Sequence, residues 1–252
     1  MEEVNNLQPS ILPENKPVSI PAEPHPEQHL QSSYVIRDIV IGMSDGLTVP
    51  FALAAGLSGA VQSTNLIVIA GLAEIAAGSI AMGLGGYLAG KTEQDHYNAE
   101  LRREYEEVEK LPAQEREEVR SFFANLGLSE EVQEQAVTEM TKDKEKWVDF
   151  MMKYELGLEK PDRSRARKSA LNIGLSYIAG GIIPLSPYFF VTDGTTGLQI
   201  SAVITLISLF VFGYFKSKIT GVAPWEGAVR VTLIGAVAAA CAFGIARMIS
   251  EP

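Results

Sequence analysis

Long apolar runs alternate along the chain with one extended stretch crowded with charge. Five runs, at residues 34–59, 66–90, 169–187, 198–215 and 225–249, each come near the roughly 20 helical residues that a ~30 Å hydrocarbon core requires. One such run could be a buried helix of a soluble protein. Five in 252 residues predict an all-α, polytopic membrane protein with five transmembrane helices. Breakers fall where connections are needed, at 62–65, at 187–197 with its Asp193-Gly194 pair, and at 220–224. The second run stays helical beyond its apolar end. From Lys91 to Lys110 the pattern continues without Pro or Gly but is now rich in Glu. Residues 66–110 therefore predict one rod of about 67 Å at 1.5 Å per residue, stopped before Pro112.

Between the second and third spans the pattern predicts a three-helix insert. Its first helix is the continuation of the second span. The next runs from about 113 to 125 and is closed by Gly127. The third starts at Ser129, a candidate cap, with Glu130 and Glu131 in the first turn where the helix dipole favours anions. It runs to about 156 and is ended by Gly157 and Pro161. The expected organisation is a tail at 1–33, spans one and two at 34–90, the insert at 91–167 and spans three to five at 168–250.

Average composition conceals this layout. With 46% hydrophobic residues, 21% charged and a net charge of −10, the chain has the averages of a soluble protein. The charges are segregated, however, with 20 of 31 acidic and 15 of 21 basic residues lying between Lys91 and Lys168. The acidic balance argues against nucleic acid as a partner, because phosphate binding needs a basic face. Cys241 is the single cysteine, so no intrachain disulfide can form. The first 33 residues hold six prolines, five Glu and one Lys without an apolar core. They predict a disordered tail rather than a cleavable signal. Connections near 60–65 and 188–197 lack Lys and Arg, whereas the insert brings Arg163, Arg165, Arg167 and Lys168, and the last connection Lys216 and Lys218. The positive-inside rule then places the N-terminus and insert in the cytosol and the C-terminus across the membrane.

Two acids interrupt the apolar runs at depth. Asp45 lies about 14 Å along the first span from its cytosolic start, and Glu74 about 12 Å along the second from the opposite side. Carboxylates near the bilayer centre are costly and generally face a polar path or a cation; the plain alternative is a protonated acid bonded to nearby backbone. Met82 lies two turns from Glu74 on the same helix face, with Gly78 between them. A thioether beside a carboxylate suits a late transition metal better than Mg²⁺ or Ca²⁺, although methionine alone is commonly packing. Asp38, seven residues before Asp45, fits either a pathway mouth or a pair with Arg37. The steps Gly42/Gly46 and Gly86/Gly90 permit close helix contact, within or between subunits.

In the insert, Glu104 and Glu107 share a helix face, as do Glu115 and Glu118, and Met151 and Glu155, with Met152 adjacent. Spacing alone does not separate these glutamates from Glu100, Glu106, Glu109 and Glu117, which suit a solvated surface. His25, His29 and His96 form no zinc motif, the single Glu-x-x-His step at Glu93–His96 is not the pair that a ferritin-like di-iron site uses, and the match of residues 85–92 to the G-x-x-x-x-G-K-T pattern falls inside a predicted helix rather than in a phosphate-binding loop between strand and helix. No nucleophile–base constellation supports an enzyme, and no prosthetic group is expected.

Three stretches carry a resemblance. RDIVIGMSDGLTVPFALAAGL in the first span, GLAEIAAGSIAMGLGGYLA in the second and KWVDFMMKYELGLEKPD at the end of the insert are similar to the vacuolar iron transporter family, above all its plant members. The similarity covers about residues 37–247. It implies a homodimer in the vacuolar membrane with an ion path between subunits, and antiport of Fe²⁺ from the cytosol against protons, with Mn²⁺, Co²⁺ and Zn²⁺ as further substrates. It implies Asp45, Glu74 and Met82 as path residues. It also implies Glu104, Glu107, Glu115, Glu118, Met151, Met152 and Glu155 as metal ligands of the insert. A membrane-anchored metal sensor and a passive divalent-cation channel are the rival expectations.

Overall fold

A computed structural model of the chain describes residues 33–250, so the tail expected at 1–33 lies, but for Ser33, outside the described residues. Eight α-helices follow in order: α1 (Ser33–Ala60), α2 (Thr64–Lys110), α3 (Pro112–Asn125), α4 (Glu130–Met140), α5 (Lys144–Phe150), α6 (Arg165–Leu185), α7 (Gly194–Ile219) and α8 (Pro224–Ser250). A π-helical turn, Met151–Glu155, extends α5, and a 3₁₀ turn, Ser186–Phe189, extends α6. Among the described residues there is no strand, only one isolated bridge between Ser63 and Asp193. Five helices (α1, α2, α6, α7 and α8) are long and apolar enough to cross a membrane. Their outer faces leave large apolar side chains open: Ile80, Leu171 and Leu175 are each 63% exposed. Such faces suit lipid, which offers apolar side chains the environment that water denies them.

The centre of the bundle is α6, which packs against both α1 and α2, while α8 covers another side of α1 and α7 packs on α8. Small residues set these distances. A Cβ at Gly42 would collide with the Ile173 carbonyl, and one at Gly46 with that of Tyr177. At Gly90 it would fall 2.7 Å from the Ala166 Cα. Both glycine steps therefore close on α6 of the same chain. Pro50 is buried within α1, which continues through it.

At the insert end of the bundle, Asp38 is 1% exposed and accepts two hydrogen bonds from the Arg165 guanidinium, at 2.7 and 3.3 Å. Its partner is thus Arg165, not its sequence neighbour Arg37, which lies over the Tyr34 ring. Arg165 also lies 4.6 Å from that ring centroid. This contact ties the start of α1 to the start of α6, where the insert ends. Asp38→Ala would leave the guanidinium without its acceptor, so the detergent-purified protein should lose about 3–5 kcal/mol and melt earlier. Replacing both partners should cost less than the sum of the single changes, and strict additivity would show the pair to be uncoupled.

α2 is one continuous helix of 47 residues, about 70 Å long at 1.5 Å per residue. Its outer half joins α3, α4 and α5 around a separate core that includes Tyr97, Val108, Val119, Val137, Trp147, Val148 and Phe150. The insert departs from the expected three helices. Its last element is interrupted between Met140 and Lys144, because the Asp143 carboxylate accepts the backbone N–H groups of Glu145 and Lys146 and starts a new helix. An Asp that captures neighbouring amides in this way competes with helix continuation. Ser129 has the extended backbone of a cap, but its hydroxyl makes no cap hydrogen bond. The π turn then carries Leu156 N–H back to the Met151 carbonyl, and Gly157, at φ +63°, ends it.

Candidate functional site

Within the membrane-spanning bundle, Asp45 on α1 and Glu74 and Met82 on α2 are all half-buried. One Glu74 carboxylate oxygen accepts a hydrogen bond from the Tyr177 hydroxyl of α6. The other is buried with no partner among the described residues. Tyr177 itself is 2% exposed and touches both neighbours. A Cβ at Gly78 would come 2.5 Å from its hydroxyl, and one at Gly46, next to Asp45, would strike its backbone. One tyrosine thus stands against both helices that carry the deep carboxylates. The sequence held a signal for it, since a tyrosine in mid-span needs a partner for its hydroxyl where no water is at hand.

The insert gathers a second group. Oxygens of Glu104, Glu115 and Glu155 all lie within 4.8 Å of one another. Glu104 is 3% and Glu115 2% exposed, each with one oxygen lacking a hydrogen-bond partner, while Glu155 lies nearer solvent. Burial pushes the Glu104 carboxyl up to about 7, helped by the negative charges of Glu155, Glu107 and Glu118. Glu115 also rises to about 7, from burial first and then from Glu118, Glu104, Glu107 and Glu155. Glu155 is raised by burial and then by Glu118 and Glu107. Carboxylates this close cannot all ionise at low cost, so they hold protons or a cation.

The remaining insert candidates frame this trio. Glu118, Met151 and Glu155 line one groove together with Phe122 and Phe150. Gln114 donates to Glu118 at 3.2 Å, and Arg103 to Glu107 at 3.0 Å. Met151 and Met152 are both fully buried in the insert core. They open the π turn that ends at Glu155, and π turns recur at functional sites. By contrast Glu106 pairs with Lys110, Glu109 with Lys144 and Glu117 with Arg120, all on the surface. Burial sets Glu104 and Glu115 apart, but it does not separate Glu107, with a side chain 28% exposed, from Glu100 at 22%. The sequence signal was a carboxylate within an apolar stripe: Glu104 continues Tyr97, Leu101 and Val108, and Glu115 precedes Val119 and Phe122 at helical spacing.

Three clustered carboxylates with buried thioethers beside them are groups able to coordinate a divalent cation. Over 242 residues the chain is 47% identical to Vacuolar iron transporter 1 of Arabidopsis thaliana, with 96% of each chain aligned. It is 49% identical over 227 residues to Vacuolar iron transporter 1 of Tulipa gesneriana, covering 90% of this chain and 92% of that one. Protein CCC1 of Saccharomyces cerevisiae is 40% identical over 225 residues, covering 85% and 69% respectively. The VIT family profile matches residues 36–247, a stretch that holds every candidate side chain above. The chain belongs to the VIT family, that of the vacuolar iron transporters.

Proposed function

We propose that this protein is a proton-coupled antiporter that moves Fe²⁺, and with it Mn²⁺, Co²⁺ or Zn²⁺, from the cytosol into the vacuole. The reading rests above all on Glu74, a carboxylate within a membrane span that has one oxygen held by Tyr177 and the other unpartnered. An acid in that state is suited to a mobile ligand, either a metal ion or a proton. The names of the relatives supply iron and the vacuole.

In this account the insert, residues 91–167, faces the cytosol and captures metal at Glu104, Glu107, Glu115, Glu118, Met151, Met152 and Glu155. Met82 and Glu74 receive the ion, and Asp45 passes it on and exchanges it for protons. The path runs between the two subunits of a homodimer. Carboxylates must be ionised to bind metal, so an acidic lumen favours release and returns the protons. No covalent step is involved; the protein is a secondary transporter, not an enzyme.

The glutamate cluster of the insert also supports a second reading, a membrane-anchored metal sensor in which the deep acids are structural. Purified protein in liposomes separates the two. The antiporter fills vesicles with Fe²⁺, whereas a sensor binds the metal and leaves the interior empty. Replacing Glu104, Glu107, Glu115 and Glu118 together by Gln is expected to lower the number of metal ions bound by the full chain. Calorimetry showing an unchanged number would reduce those glutamates to surface.

A further inference from the structure

Where the insert rejoins the bundle, a cleft of about 340 Å³ opens between α2 and the segment entering α6. Gln94, Tyr97 and Asn98 form one wall and Lys160, Pro161 and Arg163 the other. These walls present two cations and several neutral donors, and no acid. Among the described residues, Lys160 and Arg163 enter no ion pair. Asp162, which lies between them, is engaged elsewhere: its carboxylate accepts from the Ser164 N–H at 2.9 Å, the Ser164 hydroxyl at 2.6 Å and Lys168 at 2.9 Å. Neighbouring Glu93 acts on Arg165, and Arg165 in turn is committed to Asp38. The two cations of the cleft thus have no ion-pair partner among the described residues, while Asp149 acts on the Tyr97 wall.

Depth identifies what could supply one. The apolar part of α2 ends at Gly90, and Gln94 to Asn98 lie four to eight residues beyond it. At 1.5 Å per residue that is about 6–12 Å above the hydrocarbon edge. The headgroup layer occupies roughly the first 5–8 Å on each side. The foot of the cleft, at Gln94, therefore lies in the outer part of the headgroup layer and Tyr97 and Asn98 lie just beyond it, on a segment that also carries Arg167 and Lys168. Basic groups so placed attract anionic headgroups. A lysine, an arginine fork and amide donors around a cleft are the chemistry of phosphate recognition.

We propose that this cleft is a phosphate-binding site, filled by the headgroup of an anionic lipid at the root of the insert. Such a lipid would brace the α2–α6 junction against the membrane. The site is independent of what the protein transports.

The test uses the full chain purified from bilayers of phosphatidic acid and phosphatidylcholine, with retained lipid counted by native mass spectrometry. Wild type should keep phosphatidic acid in preference to phosphatidylcholine. Lys160→Gln with Arg163→Gln should weaken that retention about tenfold or more, since each basic group near a membrane surface contributes substantially. Lys216→Gln with Lys218→Gln, at the basic end of α7, should leave it unchanged. A second arm titrates both lipid-loaded and lipid-free protein with millimolar inorganic phosphate. Retention of lipid against that phosphate identifies the source as the headgroup. Phosphate that binds without any lipid preference, and is lost in the cleft variant, keeps the site but assigns it to an ion from solution. Equal losses in both pairs of variants, or no phosphate-bearing ligand on wild type, would overturn the proposal.

Discussion

Glu74→Gln is expected to reduce Fe²⁺ uptake into proteoliposomes by about thirtyfold or more while the protein keeps its melting temperature. Removing a charge that directly contacts a desolvated ion costs on the order of 2–5 kcal/mol, and each 1.4 kcal/mol is a factor of ten. Glutamine keeps the size of the side chain and an oxygen that can accept from the Tyr177 hydroxyl, so packing against α6 persists. What disappears is the negative charge and the capacity to exchange a proton. Asp45→Asn should have a comparable effect for the same reason. Met82→Leu preserves volume and removes only the soft donor, so it should alter preference among metals more than total flux. Tyr177→Phe removes the hydroxyl and leaves both Glu74 oxygens unpartnered, which should move the pH profile of uptake. Wild-type flux in Glu74→Gln would make that carboxylate a structural acid and remove it from the path.

The second large effect concerns the insert, through its dependence on pH. Glu104 and Glu115 titrate near 7 in the folded protein, against 4.5 for an ordinary glutamate. The folded state therefore holds more protons than the unfolded one between about pH 4.5 and 7, and metal-free stability falls as pH rises through that window. Below it the stabilisation is fully present; above 7 it is lost. Each group alone could account for up to about 3 kcal/mol, and the pair for less than double that, because protonating one relieves the other. Divalent metal takes over where the protons leave. Fe²⁺ or Mn²⁺ should accordingly raise the melting temperature little at pH 5 and strongly at pH 8. With Glu104→Gln and Glu115→Gln together, the metal-free protein should be more stable at pH 8, its pH dependence flatter and its response to metal reduced. A wild-type melting temperature that rises from pH 5 to pH 8 without metal would show that these carboxyls are not held in their protonated form.

The spans were legible because hydrocarbon imposes a length on apolar helices, and the expected runs at 34–59 and 66–90 lie within Ser33–Ala60 and Thr64–Lys110. The long second helix was readable for a similar reason, as nothing between Lys91 and Lys110 breaks it. Local chemistry was harder to read. Asp143 looked like one more charge in a helix, and only the capture of two backbone amides turns it into a helix start. Long-range partners were out of reach, for no spacing rule links Asp38 to Arg165 or Glu74 to Tyr177 across more than a hundred residues. The glycine steps showed that helices would approach closely but not which helix they would meet. Among the insert glutamates, the apolar stripes running through Glu104 and Glu115 contained the answer in the sequence, obscured by the many charged neighbours on the same helices.

The central claim is that deep carboxylates exchange metal for protons, and it is most directly tested by following Fe²⁺ entry and internal pH in the same vesicles. With an acid interior, wild-type protein should admit Fe²⁺ and the interior should become more alkaline in proportion to the metal that enters, while Glu74→Gln shows neither change. Fe²⁺ entry at an internal pH no different from that of protein-free vesicles would contradict the account and leave a passive channel in its place.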